Sequence, residues 1–123
     1  RPNVARALME GTAFLLAAKM SKMKEAGIDV SSLSMVGGVA ENATWSQIVC
    51  AVLGQPISVI NGSLSGAVGA AILAGCGVGI FADEREAAAH MQSQRIWILP
   101  DQQIHEQYTQ IYQNEFLPMQ SVT

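Results

Sequence analysis

The sequence predicts an α/β layered fold in which a short sheet is flanked by helices. Two observations carry this: stretches with the helical three- and four-residue period alternate with short strand-like runs, in the order α-β-α-β-α-α-β-α, and the links between them are short, with no repeat or low-complexity tract. A third is composition. Of 123 residues half are apolar and 14% charged, against about 25% charged in an ordinary soluble domain, so the chain can bury enough surface to order itself.

The first element is a helix over Val4 to about Ala26, marked by Val4, Leu8, Leu15 and Ala18 with Ala7, Phe14 and Ala17 beside them. Asn3 is its expected cap and Gly27 its stop. Gly11 falls inside this helix at a cost of about 1 kcal/mol relative to Ala, which close approach of another backbone would explain. A strand over Ser32–Val36 ends in Gly37-Gly38. A second helix over Asn42–Leu53 carries Trp45, Ile48, Val49 and Val52 and is stopped by Gly54. Pro56–Ile60 is the second strand, closed by the turn pair Asn61-Gly62.

The third helix, Gly66 to about Val78, is so rich in Gly and Ala that packing on all sides is expected of it. Asp83 with Glu86 three residues on resembles a capping box, opening a short helix through Met91. Gln94–Leu99 alternates as a strand, Pro100 breaks it, and Asp101 caps a final helix to about Phe116, with Ile104, Tyr108, Ile111 and Tyr112 on one face.

Several function classes fall away. Seven basic residues scattered along a chain of net charge −3 do not make a nucleic-acid footprint. The most apolar stretch, Gly66–Phe81, is shorter than the roughly 20 residues that span a bilayer and reads as a buried helix. Cys50 and Cys76 fall in apolar helical patterns and read as reduced core thiols of a cytoplasmic protein. His90 and His105 have no partner at ligand spacing, so no metal site is expected, and the serines with these two histidines offer no triad. Gly75-Cys76-Gly77-Val78-Gly79 follows a helix rather than a strand, which argues against a dinucleotide fingerprint. Asn61-Gly62-Ser63 reads as a tight turn rather than a glycosylation acceptor.

The turn Met35-Val36-Gly37-Gly38-Val39-Ala40-Glu41-Asn42 is the segment with chemistry in it. Two glycines between a strand and a helix let a ligand approach the backbone closely, and the helix start turns free N–H groups and the positive end of its dipole toward that point. Phosphates and nucleotides are held this way in α/β proteins. A plain strand-to-helix turn capped by Asn42 fits the same residues.

The turn is flanked by further blocks: Arg6-Ala7-Leu8-Met9-Glu10-Gly11-Thr12-Ala13-Phe14 upstream, then Trp45-Ser46-Gln47-Ile48-Val49, Leu53-Gly54-Gln55-Pro56-Ile57-Ser58-Val59, Gly66-Ala67-Val68-Gly69-Ala70-Ala71-Ile72-Leu73-Ala74 and Gly77-Val78-Gly79-Ile80-Phe81. In this order the sequence resembles the C-terminal portion of the FGGY family of carbohydrate kinases, which includes xylulokinases, gluconokinases, glycerol kinases and fuculokinases. The resemblance covers nearly the whole chain, and the pattern around Trp45-x-Gln47-Ile48 and Gly77-x-Gly79 leans toward xylulokinases.

That resemblance implies part of an actin-like (ribonuclease H-like) ATPase domain, with residues 1–123 belonging to the C-terminal, nucleotide-binding domain and the N-terminal sugar-binding domain absent. It implies ATP-dependent, Mg²⁺-assisted phosphorylation of a sugar or polyol hydroxyl by the complete enzyme, with ATP/ADP and a small substrate as partners and a homodimer left open. Gly37 and Gly38 would lie along the phosphates and ribose, and Asn42 at the adenine end. The family often has Gly or Ala where Val39 stands, and a Glu just before the Gly66 helix where this chain has Ser63-Leu64-Ser65. Glu41, repulsive to a polyphosphate, is expected to face solvent. The family's catalytic Asp belongs to a Gly-Asp-Gln type motif that does not occur here, and Asp29, Asp83 and Asp101 sit in turn and cap positions. No catalytic residue and no magnesium ligand are therefore assigned, and the segment alone should be inactive. The alternative is a free-standing α/β interaction or nucleotide-binding module. On the kinase reading, the low charge marks faces covered by the rest of a larger enzyme.

Overall fold

A computed structural model describes residues 2–60, 65–90 and 95–120. Helix α1 spans Pro2–Glu25, β1 Leu33–Met35, α2 Ala43–Leu53, β2 Ile57–Ile60, α3 Ser65–Gly77, α4 Glu84–His90, β3 Arg95–Ile98, α5 Gln102–Ile111 and α6 Leu117–Gln120. A 3₁₀ turn, Gly38–Glu41, precedes α2, and a π turn, Tyr112–Phe116, joins α5 to α6. The expected α/β fold is present. The turn at Asn61-Gly62, the Ser63-Leu64 step, and the Met91 and Gln94 boundaries lie outside the described residues.

The sheet has the order β1-β2-β3, with β1 parallel and β3 antiparallel to the central β2. Since side chains alternate across a strand, Ile57 and Val59 share one face with their cross-strand partners Ile98 and Ile96, and Ile57 and Val59 are buried there. On the other face the Ser34 and Ser58 hydroxyls meet at 2.7 Å. Ser58 also donates to the Leu33 carbonyl at 3.2 Å, so its proton is committed and Ser34 supplies the other bond.

Helix α2 is the centre of the core. Ile48, Val49, Cys50, Ala51 and Val52 are all buried, an unbroken run that only a helix covered on several sides can have. It packs against α1, α5 and β3. Phe14 of α1 is the hinge of that packing: its ring lies 5.9 Å from Tyr108, 5.8 Å from Tyr112 and 5.3 Å from Phe116. These three recur every four residues and form one stripe. Of the four residues expected on one face of this helix, Tyr108 is buried and Tyr112 half-buried, while Ile104 and Ile111 are 42% and 38% exposed. The stripe is carried on through the π turn, where the Leu117 N–H donates to the Tyr112 carbonyl. Pro118, which has no N–H to give the Asn114 carbonyl, accounts for a wider turn at this point and for a helix that continues past Phe116.

Three expectations are corrected. Helix α1 starts at Pro2, a residue suited to the first helical position, so Asn3 lies inside the first turn and does not cap it. Gly11 has no atom within 4 Å of where a Cβ would stand, so no backbone approaches it among the described residues. The Gly/Ala helix α3 is not buried. Leu73 is 64% exposed, and α3 makes its main packing with α4 alone. The end of α1 is as expected: Gly27 has φ 81°, and the Ile28 and Gly27 N–H groups close onto the Met23 and Lys24 carbonyls.

The aromatic stripe is tied to α1 by one polar network. The Tyr108 hydroxyl donates to Glu10 at 2.7 Å and accepts from Arg6 Nη2 at 2.8 Å, while Arg6 Nε donates to Glu10 at 2.8 Å. Burial first, and then the hydrogen bond to Glu10, raise the Tyr108 hydroxyl above the ordinary value of 10.0. A raised acid stays protonated longer in the folded state, so its contribution is complete below pH 10 and disappears as pH climbs through the higher folded value.

Phe14→Ala should cost about 3–5 kcal/mol in urea denaturation, since it empties the centre of the stripe. Tyr108→Phe keeps the ring, and should cost on the order of 1 kcal/mol at neutral pH while flattening the loss of stability above pH 10. Stability curves for wild type and Tyr108→Phe that fall in parallel above pH 10 would count against the network.

Candidate functional site

The segment between β1 and α2 is built by backbone geometry more than by side chains. Gly37 has φ 85°, a left-handed conformation that a side chain would strain, and this swings the chain out of β1 into the 3₁₀ turn. The Ala40 N–H closes that turn on the Gly37 carbonyl at 3.0 Å. Gly38 is exposed, and a Cβ placed there would meet nothing within 4 Å. The turn therefore leaves its backbone open to an incoming group, as the two glycines predict. Glu41 is exposed, as expected.

Asn42 caps α2: its backbone is extended, at φ −87° and ψ 100°, and its side-chain oxygen accepts from the Trp45 N–H at 3.1 Å. With the Ser46 N–H on the Asn42 carbonyl, the amides of Ala43 and Thr44 are the N–H groups that the first turn of α2 leaves without a partner inside the helix. The cap also decides what Asn42 can offer. Its oxygen is used, so its outward group is the NH₂, a donor only. Gly37, Gly38 and Asn42 thus stand together at one end of α2, each with a distinct local reason for being there.

Beneath the turn lies a hollow of about 270 Å³ lined by Ala40, Glu41, Ala43, Ser46, Val59, Ile96 and Ile98. Ser46 is 1% exposed, and its hydroxyl finds no partner among the described residues. Nothing in the helical pattern marked Ser46 as buried, because serine does not register as an apolar position.

The other end of α2 is held as firmly. Gly54 has φ 63° and returns its N–H to the Cys50 carbonyl at 3.0 Å. The His105 ring lies directly on Gly54, and its Nδ1 is 2.8 Å from the Ala51 carbonyl. A carbonyl only accepts, so Nδ1 carries the proton. His105 is thereby committed to fastening α5 onto α2. His90 stacks on Phe81, with ring centroids 5.8 Å apart. Asp83 accepts from the Arg85 and Glu86 N–H groups, and Asp101 from that of Ile104, so both act as helix caps. Cys50 is buried with its thiol 3.4 Å from the Gln55 and Ile98 carbonyls, and burial pushes it up. Cys76 is half-buried on α3.

Comparison with known proteins follows the same segment. A family model described as "FGGY family of carbohydrate kinases, C-terminal domain" matches residues 1–78. The chain is 30% identical over 113 residues to the L-xylulose/3-keto-L-gulonate kinase of Escherichia coli K12, covering 92% of this chain and 23% of that protein. It is 34% identical over 109 residues to the autoinducer-2 kinase of the same strain, covering 88% and 21%. Xylulose kinase of Bacillus subtilis is 30% identical over 112 residues, covering 91% and 22%. The crystal structure of xylulose kinase from Rhodospirillum rubrum superposes with a TM-score of 0.73 at 24% identity, over 95% of this chain and 24% of that one. The chain spans less than a quarter of the length of these relatives.

Asn42→Ala should cost about 1 kcal/mol in urea denaturation through loss of the cap, while Asn42→Asp, which keeps the capping oxygen, should cost much less. Equal losses for the two would show that Asn42 does not act through its side-chain oxygen.

Proposed function

The chain belongs to the FGGY family of carbohydrate kinases, as its C-terminal domain, and from that premise we propose that it forms the nucleotide side of an ATP-dependent sugar or polyol kinase. The observation that carries the reading is the open turn at Gly37-Gly38 leading into a capped helix start. ATP is anionic along its phosphates and carries acceptor nitrogens on its base. The turn provides unobstructed backbone, the helix start provides the Ala43 and Thr44 amides and the positive dipole end, and Asn42 provides a donor NH₂. In this reading Gly37 and Gly38 bind along the phosphates and ribose, and Asn42 hydrogen-bonds the adenine end.

Phosphoryl transfer to a hydroxyl needs the γ-phosphoryl group, the acceptor and the magnesium ion held in line, with charge neutralised as the transition state forms. Among the described residues no cluster of His, Cys, Asp or Glu could hold a metal ion, and the two capping aspartates are committed to backbone N–H groups. The proposal therefore places the base, the magnesium ligands and the sugar contacts in the remainder of the protein. This chain's part is to bind and orient the nucleotide. No described helix is long and apolar enough to cross a membrane, which accords with a kinase acting on dissolved metabolites in the cytoplasm. The relatives carry the names of xylulose, L-xylulose/3-keto-L-gulonate and autoinducer-2 kinases, and a ketose or a similar small polyhydroxy compound is the proposed substrate class.

The complete protein should consume ATP when supplied with one member of a panel of ketoses, aldonates and polyols, and stimulation by none of them would overturn the kinase reading. In that protein Asn42→Asp, which keeps the cap but loses the NH₂ and adds a negative charge, should raise the KM for ATP at least tenfold with little change for the sugar. An unchanged nucleotide KM would remove Asn42 from the site.

A further inference from the structure

At the end of α2 opposite the glycine turn lies a hollow of about 570 Å³, whose walls include Met20 and Lys24 of α1, Gln55 in the turn after α2, His105 and Thr109 of α5, and Tyr112 of the π turn. Its size falls in the range of roughly 300–1,000 Å³ common to small-molecule sites. A second hollow of about 240 Å³ shares Met20, Lys24 and Gln55 with it and adds Asp29, so the two adjoin.

Some polar groups there are already spent. The Thr109 hydroxyl donates to the His105 carbonyl, the Ser21 hydroxyl to Glu25, and His105 Nδ1 to the Ala51 carbonyl. The groups that remain form a balanced set. Gln55 Nε2 is buried and has no acceptor among the described residues, a state that costs free energy until an acceptor reaches it. The residue is held at this wall, because the Cys50 thiol sits 3.4 Å from its carbonyl and Pro56 fixes the chain beyond it. Lys24 and Asp29 have no ion pair among the described residues. With Nδ1 protonated, the neutral His105 ring keeps a lone pair on Nε2. Two donors thus face the depression with two acceptors, beside apolar surface from Met20 and the Tyr112 ring.

We propose that this depression binds a neutral polyhydroxy compound, an open-chain polyol or a free sugar. A hydroxyl both donates and accepts, so neighbouring hydroxyls satisfy a donor and an acceptor together, which neither a carboxylate nor an ammonium group does. The C–H surface of such a molecule suits Met20 and Tyr112. An anion would gain Lys24 but meet Asp29, with Glu25 next to Lys24 in sequence; a cation would meet the reverse. The eleven residues of α2 put about 16 Å between this site and the glycine turn, so the ligand is not the proposed nucleotide, and the inference does not rest on the kinase reading.

The test follows amide, methyl and ring resonances of the 123-residue protein during titration with xylitol, D-xylose and, as an anion of the same chain length, xylonate. Xylitol or D-xylose should give saturable shifts at millimolar concentration at the Gln55 side-chain NH₂, the Met20 methyl and the His105 ring, with Gly37, Gly38 and Asn42 unmoved. Lys24→Met, at an exposed position of α1, and Gln55→Ala should each weaken that binding at least fivefold. If the Gln55→Ala chain does not fold, Lys24→Met decides alone. Absence of saturable shifts with both neutral probes, or unchanged affinity in either folded variant, would overturn the proposal. Tighter binding of xylonate than of both neutral probes would overturn it in favour of an anion site. Whether the protein consumes ATP bears on none of these results.

Discussion

The structure depends on the burial of α2. Five consecutive residues, Ile48 to Val52, are sealed between α1, α5 and the sheet, and this leaves the helix no freedom to slide or roll. Both of its ends are then fixed by short-range chemistry, Asn42 on the Trp45 N–H at one end and Gly54 under the His105 ring at the other. The proposed nucleotide site, made mostly of backbone, needs such support, because amides at a helix start are useful only if the helix stays where it is. The Phe14 stripe, though distant in sequence from the glycine turn, serves the same purpose by pressing α1 and α5 onto α2.

The polar groups divide by role. Those in the Arg6, Glu10 and Tyr108 network, the Ser34 and Ser58 pair, and His105 on the Ala51 carbonyl all join elements far apart in sequence. The groups left facing outward at the glycine turn have no such duty. Donors at a helix start beside an exposed glycine suit an anionic group, with the exposed Glu41 carboxylate of the same turn acting against it.

Much of this was legible in the residues because it rests on local rules. Gly27, Gly54, Asp83 and Asp101 act where their types predict, each through one or two backbone contacts. The glycine turn and Asn42 were legible for the same reason. What could not be read depends on contacts between distant segments. The face of α5 that carries Ile104, Tyr108, Ile111 and Tyr112 was legible, but not that Phe116, beyond the π turn, extends its aromatic part onto Phe14 while Ile104 and Ile111 are less deeply covered. Ser46 was passed over because its burial comes from the sheet beneath it. The apolar character of α3 was read correctly, but among the described residues its main cover is α4.

The central claim is that the turn before α2 receives a nucleotide through its backbone. Titrating ADP into the isotopically labelled protein while following amide resonances tests it most directly. The account predicts shifts concentrated at Gly37, Gly38, Ala43 and Thr44 and at the Asn42 side-chain NH₂, with α5 unaffected. Shifts absent at millimolar ADP, or concentrated around His105 at the opposite end of α2, would contradict it.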